Sequence, residues 1–184
     1  MPSQSLLLYA LIVTCEVVFW LMLLGSLAAR YGFRSEAVSR GFLYALPAID
    51  LLLIAFTAMD LKAGTVATIA HGLAAAYVGF TVAFGSVAVR WADSQFAYRF
   101  ASGPQPPPAP TGWSAVHADI GLWLRCMTAW IIALALIELL IAYVGIEEAT
   151  MPLRVWYKFA LGSVILWFIF GPAWSLLLVR RRAR

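Results

Sequence analysis

The sequence predicts an all-α fold, a polytopic transmembrane bundle of five helices with the N-terminus outside and the C-terminus cytoplasmic. Three observations predict it. Hydrophobic residues make up 63% of the 184 positions and charged residues 12%, against ~45–50% and ~25% in soluble domains. Five apolar runs are each long enough to cross ~30 Å of hydrocarbon, which takes roughly 20 helical residues. Basic residues concentrate in alternate loops. With a mean hydropathy of +0.86, a soluble globular domain is excluded, because so small a chain cannot hide this much apolar surface. Disorder is excluded for the same reason.

The runs span residues 6–29, 42–61, 66–89, 120–144 and 155–179 of a single transmembrane helical domain, residues 1–184. In lipid each must be helical to satisfy its own backbone. The first is read as a retained span rather than a cleaved leader: no Lys or Arg precedes it, it is too long, and Glu16 interrupts it. Pro47 in the second and Pro172 in the fifth each remove an amide donor and predict a kink. The third is rich in Gly and Ala. Its small residues four apart, such as Ala75 and Gly79, allow close approach and place it at the centre of the bundle. The one long connection is a cytoplasmic, Pro-rich loop over about 90–119. Its RWADSQFAYRF segment suits a helix extension or a stretch lying among headgroups. The SGPQPPPAP that follows predicts a polyproline II spacer, its PxxP spacing read as a linker before a docking motif.

Loop charge sets the orientation. Arg30, Arg34, Arg40, Arg90, Arg99, Arg125, Arg180, Arg181, Arg182 and Arg184 fall on one side, and Lys62, Arg154 and Lys158 on the other. The positive-inside rule makes the first side cytoplasmic. The net charge of +4 and pI near 9.3 then imply a lipid bilayer with anionic lipids at the cytoplasmic face as partners, and no nucleic acid. Arg90, Trp91, Asp93 and Arg99 are the cytoplasmic loop and lipid-headgroup candidates.

Ionisable residues inside a membrane are costly, about 2.5–3.5 kcal/mol each on insertion scales, and usually face the bundle interior. Glu16 and Asp50 fall near the midplane, His71 and Glu138 in the outer third, and Asp60 and Lys62 near the outer mouth. These six are the ligand or proton candidates. Two carboxyls at equal depth can share a proton, and an imidazole exchanges one near neutral pH. The competing reading is plain interhelical hydrogen bonding, whose average contribution of about 0.6 kcal/mol poorly offsets the insertion cost.

Sharper chemistry finds no motif. His71 and His117 are some ~20 Å apart by helical rise, too far to share a metal, and no Cys or His pair has zinc-ligand spacing. GxSxG, HExxH and a phosphate-cradling Gly loop are missing from the sequence. Cys15 and Cys126 sit in apolar runs and indicate no disulfide framework. No catalytic residue, metal or cofactor is expected.

The stretch from Ile49 to Pro104, with its DLKAGTVAT–HG and WADSQFAYRF pieces, resembles the YmcC-like family of small bacterial inner-membrane proteins. LRCMTAWIIALAL from Leu124 is similar more loosely. The resemblance implies a bacterial plasma-membrane protein and nothing catalytic. It draws attention to Asp60, Lys62, His71, Trp91, Asp93 and Arg99, and leaves Glu16 and Glu138 outside.

The leading expectation is a non-enzymatic protein that binds a proton, cation or small ligand in an outer-half acidic/His cluster, as a small transporter or sensor, acting as a homo-oligomer. The alternatives are an accessory or structural subunit with a membrane protein partner, and a membrane-embedded enzyme on a lipid-like substrate, with Glu16, Asp50 and His71 as acid and base.

Overall fold

The computed structural model describes residues 2–31, 35–100 and 103–182; within them the side chains of Cys15, Glu16, Arg40 and Pro47, among others, lie outside the described part. Every element is helical: α1 (Pro2–Tyr31), α2 (Glu36–Lys62), α3 (Ile69–Phe100), α4 (Trp113–Val144), the single turn α5 (Glu147–Thr150), a 3₁₀ turn (Met151–Arg154), α6 (Val155–Phe168), a π-helical turn (Ile169–Ala173) and α7 (Trp174–Arg182). No strand occurs among the described residues. Among the described residues three helical stretches, His71–Arg99, Trp113–Val144 and Glu147–Val179, are long and apolar enough to cross a membrane.

Neighbours in sequence pack side by side. α1 lies against α2, α2 against α3, α3 against α4, and α4 against α6 and α7. The expected small-residue face of α3 is what makes this possible. Gly72, Ala75, Ala76, Gly79 and Ala83 are buried. A Cβ at Gly79 would run into the Ala129 carbonyl of α4, and one at Gly72 into the Trp156 indole of α6. The core continues through Trp130, Ala133, Ile137 and Leu140 of α4. Phe80 meets the edge of Trp130 at 5.4 Å between centroids, an arrangement aromatic rings favour.

Two glycines shape the end of the bundle that carries the Asp60–His71 turn. Gly145, at φ 68°, closes α4 in the left-handed conformation, its N–H returning to the Ile141 carbonyl. Gly64, at φ 98°, lets the chain leave α2 in a tight turn. The segment after Gly145 then folds over that turn: Ala67 donates to the Ala149 carbonyl at 2.8 Å, and Leu153 is fully buried beneath.

Three sequence boundaries shift. Val66–Thr68 are not helical, and α3 starts at Ile69. It then runs on to Phe100, so Trp91–Phe100 is a helix extension, and α4 already begins at Trp113. The irregular connection is therefore much shorter than 90–119. Polar residues end an apolar run without ending a helix, and the first strong breakers after Gly85 are Gly103 and Pro104. Near Pro172 the helix takes one π turn, with the Trp174 N–H reaching back to the Ile169 carbonyl; α2 continues as helix through position 47.

Candidate functional site

The site grows out of the turn between α2 and α3. Asp60 stands in the last turn of α2 and His71 in the first turn of α3. His71 Nε2 lies 3.2 Å from Asp60 Oδ2. Both side chains are almost wholly enclosed, at 3% and 7% exposure. Two threonines complete the arrangement. Thr65 donates its hydroxyl to Asp60 Oδ1 at 3.0 Å. Thr68, just ahead of α3, donates its backbone N–H to His71 Nδ1 at 3.0 Å, and its hydroxyl lies 2.9 Å from the same nitrogen.

This bonding fixes the tautomer. A backbone N–H only donates, so Nδ1 accepts and the imidazole proton sits on Nε2, pointing at Asp60. Asp60 receives one hydrogen bond on each oxygen, from His71 and Thr65, which suits the ionised carboxylate. The geometry is that of a capping box with histidine in the place of the usual Glu or Gln: the side chain three residues into the helix reaches back to the N–H of the capping Thr. Asp60 and His71 supply two donors, and among the described residues no group of three or more His, Cys, Asp or Glu gathers for a metal.

The six candidates do not all converge. Asp60 and His71 meet. Lys62 turns away, its ammonium 4.1 Å from the Tyr143 ring centroid, a cation–π contact. Glu138 lies on an exposed face of α4, hydrogen-bonded by the Tyr157 hydroxyl of α6. Asp50 is fully buried on the α2–α3 interface, with Thr81 as a hydrogen-bond partner. Ten residues separate it from Asp60, about 15 Å of rise. The Glu16 side chain lies outside the described residues, so its pairing with Asp50 stays a sequence expectation. Among the headgroup candidates, Asp93 forms an ion pair with Arg30 at 2.8 Å, tying the end of α1 to α3. Arg90, Trp91 and Arg99 are exposed. Trp91 and Arg99 line a shallow cleft of about 130 Å³.

Sequence reasoning passed over Thr65, Thr68 and Thr81. Thr68-Ile69-Ala70-His71 did carry a signal, since a Thr three residues ahead of a side chain able to accept its N–H marks a helix start. It also passed over Asp119, which accepts a hydrogen bond from Ser175 of α7. Asp119 borders an open cleft of about 510 Å³ with Ser163, Trp167 and Phe170.

Comparison with known proteins found one curated relative, "Uncharacterized membrane protein YmcC" of Bacillus subtilis (strain 168). It is 37% identical over 144 residues, which cover 78% of this chain and 77% of the relative. No family model and no solved structure matched the chain.

Proposed function

We propose, from the premise that this chain belongs to the YmcC-like family of membrane proteins, that it is a non-enzymatic plasma-membrane proton sensor or small transporter whose ligand site is the Asp60–His71 pair. The observation that carries this reading is the pair itself, a carboxylate and a neutral imidazole 3.2 Å apart in an enclosed site. Burying two such groups is costly unless the partnership is used or fully bonded, and here the bonding leaves the imidazole one way to take a second proton. That proton must go to Nδ1, and the Thr68 N–H must first leave it. Proton uptake is thereby coupled to the first turn of α3 and, through Ala67, to the Ala149 carbonyl in the covering segment.

The same reading has five spans, the outer mouth at the Asp60 end and the C-terminus in the bacterial cytoplasm. The lengths of α1 and α2, 30 and 27 residues, support five crossings, and the ten-to-three split of basic residues supports the orientation.

The test uses the full chain in lipid nanodiscs. Trp156 packs on Gly72, one residue from His71, so tryptophan fluorescence reports on the site. The expected result is a fluorescence change with pH that is lost in His71→Ala and altered in Asp60→Asn, and kept in a His117→Ala control at an exposed position. A His71→Ala protein that titrates like wild type overturns the proposal.

A further inference from the structure

Asp50 poses a separate problem. It is 1% exposed in the middle of a 27-residue helix, and its Oδ2 has no hydrogen-bond partner among the described residues. Thr57, two turns along the same buried face of α2, is equally enclosed, and its hydroxyl oxygen is likewise unpartnered. Buried polar atoms are almost always bonded, so two orphans on one face ask for a role. α2 and α3 run in a constant antiparallel register: Asp50 meets Thr81 and Asp60 meets His71, ten residues apart on both helices. Leu53 and Thr57 on α2 and Ala74 and Val78 on α3, which lie between those two contacts in sequence, are all buried.

We propose that Asp50 is a second, deeper proton site, reached only from the Asp60–His71 end by way of Thr57. The proposal extends the reading of that pair as a proton site, but the chemistry at Asp50 is its own. A proton arriving from the outer side bonds to a carboxylate oxygen of Asp50, its charge goes from −1 to 0, and the proton leaves by the same route. The direction follows from what flanks Asp50. Toward the Asp60 end Thr57 lies about 10 Å away and Asp60 one turn further. Between Asp50 and Thr57 on this buried face of α2 stands Leu53, one apolar turn. Toward the basic end, Ile49 and Leu46 are buried apolar residues. There the next buried polar side chain on α2 among the described residues is Ser39, about 16 Å away and already bonded to Ser26. The neighbouring helices offer no second charged route among the described residues. Arg125 of α4, near this depth, donates to the Ala83 carbonyl, and Cys126 packs in the core. On α1 the one acidic residue is Glu16.

The experiment is infrared spectroscopy of the full chain in nanodiscs, following the protonated-carboxyl stretch as H₂O is switched to D₂O. The expected result is a band at neutral pH that disappears in Asp50→Asn. Its exchange should slow by about tenfold or more in Thr57→Val, the scale of one lost hydrogen-bonding step, and quicken in Leu53→Ala, which thins the apolar turn. A wild-type protein without the band, or exchange unmoved by both Thr57→Val and Leu53→Ala, overturns it. A His71→Ala protein that keeps the Asp50 band while losing the fluorescence titration separates the two proposals.

Discussion

Gly72 shows how a single position can hold a bundle together. The missing side chain is what lets the Trp156 indole lie on α3, beside the turn that carries His71. Gly72→Ala is expected to destabilise the protein by about 1–3 kcal/mol through overpacking. Gly85→Ala, whose added methyl would meet only a methyl of its own helix at 4.0 Å, is expected to be neutral or slightly stabilising. Thermal unfolding in detergent distinguishes the two, and a Trp156→Leu partner should recover most of the Gly72→Ala loss if the indole is the obstacle. The stripe of small residues was legible in the sequence; which large residue it receives was not, because Trp156 arrives from a helix some eighty positions away. The candidate site divides in the same way. Asp60 and His71 stand out singly as ionisable residues in apolar runs. Their meeting depends on the left-handed turn at Gly64 and on the Thr68 cap, which hydropathy does not register. For Glu138 the sequence offered a depth on α4 and no neighbours, since a helix apolar on every side offers no periodicity from which to read its rotation.

At the scale of the element, the fifth apolar run is the most informative. A proline in a helix interior frees a carbonyl, and the sequence supports a kink at Pro172. The structure answers with a π turn, one residue more than an α-helix needs. Removing one residue from that turn, Phe170 for example, should restore plain α-helix and leave α7 facing as before, Ser175 still bonded to Asp119. Removing Leu161 from α6 instead turns everything after it by about 100°. The first deletion is expected to cost less than about 2 kcal/mol and the second distinctly more, as unfolding temperatures would show. Element ends were less legible than element interiors. The extension of α3 to Phe100 was one of two readings that the RWADSQFAYRF segment allowed. Hydropathy alone does not choose between them, because a helix leaving the hydrocarbon changes its composition and not its backbone.

The molecule as a whole is a row of helices with α1 at one margin, α6 and α7 at the other, and α3 and α4 between them. Hydropathy marks the apolar segments but not this lateral order, which depends on which faces are small enough to be approached. A reporter fused at Arg184 is expected to read cytoplasmic, and one inserted after Gly145 external. The opposite pair of readings would turn the bundle over and put the Asp60–His71 mouth on the cell interior. The one-ended seam proposed along α2 carries a further consequence in the living membrane. A carboxyl halfway down such a seam lies part-way through the transmembrane voltage. Moving a full charge across 100 mV is worth about 2.3 kcal/mol, so mid-depth makes the bias about 1 kcal/mol. In the proposed orientation, with the cell interior negative, that bias tightens the hold of Asp50 on its proton, and depolarisation weakens it at constant pH.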